Sequence, residues 1–332
     1  MRKHTATLAF ANLQPEDIIS TLVSLGFDCD GRFLALNSYE NRVYQVGIED
    51  ESPIVTKFYR PARWSDKCIH EEHAFCLDLA SQDIPVIPPM TINGQTLKNS
   101  GDYRLAVFPC KGGRAPDLDN YETLAQLGRL IARIHLEGET KSFVHRPSIN
   151  IETYGIQSIN YLIDNEFIPE QNHEAYESVA KLVLDGVEAC FDRAGDTLEI
   201  RLHGDFHPGN VLINQDRLHI VDLDDCRHGP AMQDLWMFLS GDKEEQTPQL
   251  EALLNGYQSF RRFDPRELHL IEALRSLRIM HYAAWLARRW KDPAFKVAFP
   301  WFNSARYWDE HILTMREQVA LMQEAPLEWR EF

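Results

Sequence analysis

The stretch His203–Asp225, HGDFHPGNVLINQDRLHIVDLDD, decides how the rest of the chain is read. Asp205 is a carboxylate that can orient an attacking hydroxyl and accept its proton. Asn210, five residues on, offers a neutral amide oxygen, and Asp222 ends an apolar run with a charged one. An amide oxygen with a carboxylate is a poor zinc site but a good Mg²⁺ site, because Mg²⁺ takes hard oxygens and keeps positions for water and phosphate. Such a set suits phosphoryl transfer. Asp, Asn, Gly and Pro crowded together also describe any loop, and Asp-x₄-Asn alone carries little. His-Gly-Asp in front and Asp222 behind the hairpin LINQDRLHIVD favour the functional reading.

Composition sets the outer bounds. A chain of 332 residues is long enough for two lobes with ample core. Its 44% hydrophobic and 25% charged residues are those of an ordinary globular protein. A formal net charge of -16 argues against nucleic acid and anionic membranes as partners, since both need neutralising Lys and Arg. ATP is compatible with that charge, because its phosphates meet only a local site and bring their own metal. The six cysteines are scattered without a C-x-x-C pair and read as reduced thiols of a cytosolic protein. After Met1-Arg2-Lys3, the segment Asn12–Asp17 cuts short a slightly apolar stretch, so no secretory or bilayer-spanning segment is expected. A cytoplasmic monomer is the expectation.

Upstream of the central stretch, Gln14-Pro15-Glu16-Asp17 opens a helix that stops near Gly26. Phe33–Leu36, Arg42–Ile48 and Ile54–Tyr59 read as strands, with the polar turn Asn37–Asn41 between the first two. Lys57, in IVTKFY, is either a solvent-facing strand lysine or one that contacts phosphates. Trp64–Ala80 is helical in pattern and carries Glu71 and Glu72. His70 and His73 could hold a metal on paper, but a solvated polar face is the better reading. Ile84–Pro89 ends the helix, a short hairpin passes through Asn93-Gly94, and Tyr103–Phe108 forms a further strand. Pro109–Gly113 then breaks it as a connector. Adenine docked there would bond backbone groups around Phe108 and Cys110, since Pro109 has no N–H.

Beyond the connector the chain turns helical. Tyr121–Leu136 has apolar residues at helical spacing, with Gly128 suited to close packing. Gly138–Asp196 is mostly helical, including a helix around Glu174–Phe191. His145-Arg146-Pro147 is either a polar contact or a loop with a structural arginine. The turn Asn214–Arg217 is expected to bring Asp222 beside Asn210. Gly229–Trp236 predicts entry into a buried helix. Asp234 there is either its N-terminal acid or, preferably, a bond acceptor for backbone N–H groups of the catalytic loop, locking the geometry that Asp205 needs. Arg275, Arg278, Arg288 and Arg289 flank Tyr282, Trp285 and Trp290. Such alternation can bind nucleic acid, but the net charge favours amphipathic core helices whose arginines pair internal acids.

His203-Gly204-Asp205-x-His207-x-x-Asn210 with Val221-Asp222-Leu223-Asp224 resembles the aminoglycoside phosphotransferase and choline kinase superfamily. The outer stretches NSYENRVYQ (37–45), KFYRP (57–61), GPAMQDLWM (229–237) and AWLARRWKDPAF (284–295) narrow the resemblance to bacterial stress-response kinases. It implies an α+β, bilobal, protein-kinase-like fold. Residues 1–108 would form a small lobe of antiparallel sheet with one key helix, 109–113 a hinge, and 114–332 a mainly helical catalytic lobe. It implies ATP and Mg²⁺ as cofactors and a protein acceptor bearing Ser or Thr, the chain itself included. By position, Asp205 would be the proton acceptor, and Asn210 and Asp222 the metal ligands. Ser38 would lie in the turn over ATP, with Lys57 holding phosphates against Glu72, preferred to Glu71 by its spacing in the kinase-like helix. No G-x-G-x-x-G is present, so donors in Asn37–Asn41 must cradle phosphates instead. Only eleven residues separate Asp222 from Asp234, which leaves no room for a long activation loop.

Three rival readings stand beside this one, of which a nucleotide-binding regulator without catalysis is opposed by the intact set Asp205, Asn210, Asp222 and Lys57. A small-molecule acceptor such as an aminoglycoside or amino alcohol suits the acidic surface equally well. His203-x-Asp205-x-His207 could ligate zinc in a hydrolase, but that account leaves Lys57 and Asn210 without a task.

Overall fold

A computed structural model describes residues 9–215 and 217–330, so Met1–Lys3 and Asp216 of the predicted turn lie outside the described residues. The chain divides into two compact units. One comprises the residues up to Ala115 together with Val211–Asp224; the other comprises Pro116–Asn210 and the chain from Asp225 onward.

The first unit begins with helix α1 (Pro15–Ser24), where Gln14 and Asp17 form a reciprocal capping box and Pro15 takes the first turn. Strands β1 (Cys29–Leu36), β2 (Arg42–Ile48) and β3 (Ile54–Tyr59) precede helix α2 (Asp66–Ser81). Then come β4 (Lys98–Ser100) and β5 (Tyr103–Pro109). The five strands form an antiparallel sheet in the order β1-β2-β3-β5-β4. Side chains alternate across it. Val46, Ile54, Phe58, Leu105 and Val107 join Ile18 and Leu22 of α1 in one core. Tyr59 and Ala106 join Ile69 of α2 in another. The period of two puts Lys57 on the Tyr59 side of β3, the side that α2 covers.

The hairpin of Val211–Asn214 and Arg217–Ile220 belongs to this unit. Ile87 N–H donates to Ile220 O (3.1 Å) and Ile220 N–H to Pro85 O (2.9 Å), while Arg114 and Ile213 exchange bonds of 3.1 and 2.7 Å. The proline-rich segment that ends α2 therefore also holds the hairpin, two residues ahead of Asp222.

In the second unit, α3 (Tyr121–Gly138) is followed by a π-helical turn (Ile151–Ile156), α4 (Gln157–Asp164) and α5 (Glu170–Ala194). Glu199–Leu202 pairs antiparallel with Arg227–Pro230. Helices α6 (Lys243–Gln258), α7 (Ile271–Arg289), α8 (Pro293–Ala298) and α9 (Ala305–Leu321) complete it. Gly128 and Gly256 let α3 and α6 pack backbone to backbone. A Cβ on Gly128 would sit 1.9 Å from Leu253 O, and one on Gly256 2.0 Å from Ala125 O.

The predicted helix at Gly229–Trp236 is instead the end of a strand and two short 3₁₀ turns, Ala231–Asp234 and Trp236–Phe238. The physical reason is that this segment's polar groups are taken elsewhere. Glu267 accepts from Met232 N–H (2.7 Å), and the side chains of Gln233 and Asp234 bond the backbone of Gly204 and His203. Arg146 is buried and donates to Cys226 O at 3.1 Å, the structural one of its two readings. Among the described residues no helix is long and apolar enough to cross a membrane.

Candidate active site

In the N-terminal unit, Lys57 is the centre of a buried ionic cluster. Its Nζ lies 3.1 Å from Glu72 Oε1, 3.0 Å from Asp222 Oδ1 and 3.0 Å from Asp224 Oδ1. Lys57 is 6% exposed, so the solvent-facing strand lysine is not what the structure shows. Burial alone would lower its pKa, but the field of Asp222, Asp224 and Glu72 outweighs burial and holds the ammonium well above its usual range. Glu72 is buried whereas Glu71 is half-buried. Tyr59 donates its hydroxyl to Glu72 (3.2 Å) and also meets His73 Nε2 at 2.8 Å. His73 is buried and its Nδ1 meets Thr96 Oγ1 at 2.8 Å, so the solvated face expected for His70 and His73 holds only for His70. No group of three metal-ligating side chains occurs among the described residues, which leaves the zinc reading of His203, Asp205 and His207 without support.

The cluster extends to the turn at 37–41. Arg63 pairs with Asp224 and lies 3.7 Å from Glu40. Arg60 donates to Glu40 O (2.8 Å) and Tyr39 O (3.2 Å), while buried Asn41 accepts from Arg60 N–H at 3.0 Å. Sequence reading missed Arg60 and Arg63 as the residues that shape this turn. Ser38 sits in it, half-buried. Phe108 is the second-last residue of β5 and Cys110 the first after it, both half-buried. Asp222 is half exposed and adopts a left-handed backbone with φ +61°. That conformation is uncommon for a residue with a side chain and recurs at functional sites.

In the C-terminal unit, Gly204 precedes Asp205 with φ +83°, and a Cβ there would meet Asp225 O at 2.2 Å. Only glycine fits. Asp234 holds the loop as the sequence predicts, its two oxygens accepting from His203 and Gly204 N–H at 2.8 Å each. Gln233 Nε2 donates to Gly204 O at 3.0 Å. Behind Asp234 stands a buried chain: Arg261 donates to the Tyr257 hydroxyl (2.6 Å), which meets His135 Nδ1 (2.8 Å), while His135 Nε2 lies 3.3 Å from Asp234. Burial lowers the His135 pKa against the pull of Asp234, so the neutral ring can give Asp234 a third N–H.

Asp205 Oδ1 accepts from Arg278 Nη1 at 2.5 Å, and Oδ2 lies 3.6 Å from His207 Nε2. Of the arginines read as partners of internal acids, Arg275 pairs with Glu272 at 2.9 Å, whereas Arg278 takes the candidate catalytic acid itself. Asn210 Nδ2 donates to Asp205 O at 2.9 Å, which fixes the amide and leaves its oxygen for another partner. A neutral amide oxygen of this kind is one that a hard cation accepts.

Glu267, buried, accepts from Met232 N–H two residues ahead of Asp234. Burial pushes its carboxyl up to about 7, against the Met232 N–H bond that favours the ionised form. Between the ordinary carboxylate range and about 7, the folded protein keeps a proton that the unfolded chain has lost, so stability falls as pH rises through that window. Glu267→Gln keeps an acceptor for Met232 and deletes the buried charge. Urea unfolding at pH 8 is expected to find it more stable than wild type by up to about 3 kcal/mol, with the gain vanishing toward pH 4. An equal difference at both pH values would refute the buried-charge account.

The phosphotransferase enzyme family matches residues 32–271. A stress response kinase A of Escherichia coli (strain K12) is 42% identical over 325 residues, 98% of each chain. A serine/threonine protein kinase RdoA of Salmonella typhimurium is 43% identical over 319 residues, 96% of each chain. Among solved structures, an amicoumacin kinase complexed with AMP-PNP and Ca²⁺ superposes with TM-score 0.72 at 18% identity, covering 95% of both chains. A choline kinase of Streptococcus pneumoniae gives 0.61 at 15% identity, covering 92% of this chain and 99% of its own. The α+β, protein-kinase-like fold that the resemblance implies is thus the fold of the protein. It is a phosphotransferase by kind, and the chain belongs to the phosphotransferase enzyme family, alongside the stress response kinase A proteins.

Proposed function

We propose that the protein is an ATP- and Mg²⁺-dependent serine/threonine protein kinase, acting in the cytoplasm in a stress response. One observation carries the reading to a protein acceptor. Relatives spanning nearly the whole chain at 42 and 43% identity bear the names stress response kinase A and serine/threonine protein kinase. The kinases of small molecules share the fold at 15 to 18% identity.

In this reading Lys57, oriented by Glu72, neutralises nucleotide phosphates, with Ser38 and the backbone around Phe108 and Cys110 completing the nucleotide contacts. Asp205 receives the acceptor's hydroxyl proton while Asp234 and Gln233 keep its loop rigid. Asn210 and Asp222 would hold Mg²⁺, which supplies charge neutralisation on the phosphates when bound. Catalysis then consists mainly of positioning and electrostatics, as phosphoryl transfer demands. The test is incubation with γ-labelled ATP. Label is expected on a protein substrate such as casein, or on the kinase itself, and to resist acid as a phosphoserine or phosphothreonine ester does. Label confined to aminoglycosides or amino alcohols would replace this reading by the small-molecule one.

A further inference from the structure

Arg275 and Arg278 stand one turn apart on α7 and both reach an open pocket of about 420 Å³ within the C-terminal unit. His207, Trp236, Ser240 and Gln246 also line it, and among the described residues that do so none is acidic. Arg275 is paired with Glu272 and Arg278 with Asp205, and the charged side chains that line the pocket itself are the two guanidinium groups. The pocket adjoins the candidate proton acceptor, because Arg278 bonds Asp205 Oδ1 and His207 lies two residues along the same loop.

Both guanidinium groups are held in place. Arg275 is bonded to Glu272 through both carboxylate oxygens (2.9 and 3.1 Å) and lies over the Trp236 ring, 5.4 Å from its centroid. Arg278 spends an Nη1 hydrogen on Asp205, and its side chain is 36% exposed. A guanidinium has five N–H donors, so each keeps donors beyond those bonds. A cationic group in this pocket would meet two guanidinium groups whose partner carboxylates, Glu272 and Asp205, are already engaged. A carboxylate would meet planar donors matched to it.

We propose that this pocket takes an acidic side chain next to the acceptor hydroxyl, so that the substrate is a serine or threonine in an acidic sequence. The inference rests on Asp205 being the proton acceptor. An extended chain advances roughly 3.3–3.6 Å per residue. The acidic residue therefore lies within about three positions of the acceptor. Arg278 then bridges Asp205 and the substrate carboxylate and acts as a positioning residue, while Arg275 determines specificity.

The test uses the full chain, labelled ATP and serine peptides that differ only in Asp/Glu, Ala or Lys/Arg flanks, with glycerate and choline as small alcohols of opposite charge. Acidic-flanked peptides are expected to be phosphorylated with kcat/KM about tenfold or more above neutral ones and basic ones least, as expected of a charge-assisted hydrogen bond. Arg275→Gln should raise KM for the acidic peptide about tenfold while KM for ATP stays unchanged. Arg278→Gln, the second variant should the first fail to fold, should erase the discrimination between acidic and neutral flanks. Arg275→Glu should move preference toward basic flanks. Preference of the wild type for neutral or basic peptides would overturn the acidic acceptor and leave the protein-kinase reading standing. Label on glycerate but on no peptide would support the anionic pocket and remove the protein acceptor. Label on choline alone would overturn both.

Discussion

Asp205→Asn is expected to lower the turnover of phosphoryl transfer by about 10²- to 10⁴-fold, the range that a positioned general base supplies. The substitution keeps the side chain's size and an oxygen for Arg278, and it leaves the backbone carbonyl that accepts from Asn210 untouched. What it removes is the second anionic oxygen and the capacity to hold a proton. Because the Arg278–Asp205 pair is partly exposed, at 36 and 28% of the two side chains, its loss should change stability by no more than about 1 kcal/mol. Thermal unfolding and nucleotide affinity should therefore match wild type while turnover collapses. Wild-type turnover in the folded variant would remove Asp205 from the mechanism. An equal fall in turnover and melting temperature would make it a structural residue.

The same residue shows what the sequence discloses and what it withholds. Asp205, Asn210 and Asp222 stand out as candidates because their spacing is local and the chemistry of hard oxygens is read from residue type alone. Asp234 is legible too, since an acid just beyond the loop has few other tasks, and it indeed grips His203 and Gly204. Arg278 is not legible as a partner of Asp205. The two are 73 residues apart, and the pattern of α7 asks only for an amphipathic helix. Arg60 fixes a turn some 20 residues before it, through bonds to carbonyls that no periodicity marks. The helix expected at Gly229–Trp236 failed for a related reason. Local pattern cannot register that Met232, Gln233 and Asp234 bond distant partners, and those bonds displace the helical ladder. Nor could burial of Lys57 be read from IVTKFY, because its carboxylates come from 15 and 165 residues away.

That burial yields the second large expectation. Lys57→Met replaces a buried ammonium by an apolar side chain of similar length, and it removes the cation that buried Glu72 and Asp224 share. Removing one partner of a buried ion pair typically destabilises by about 3–5 kcal/mol, because the remaining charge stays desolvated. The lower end of that range is expected here. Arg63 still meets Asp224, Tyr59 still donates to Glu72, and half-exposed Asp222 can turn to water. The deficit should depend on pH with a definite sign. Carboxylates buried without the lysine prefer the protonated form, so the variant's stability is lost as pH rises, and it should compare better with wild type at pH 5 than at pH 8. Adding Glu72→Gln to Lys57→Met should return part of the lost stability, since it deletes a stranded charge, yet transfer from ATP should stay abolished. This separates the role proposed for Lys57 in transfer from its role in the ionic cluster. Recovery of transfer along with stability would mean that Lys57 only neutralises the cluster. Failure of Glu72→Gln to restore any stability would mean that the loss comes from packing around the Met side chain and not from the carboxylates.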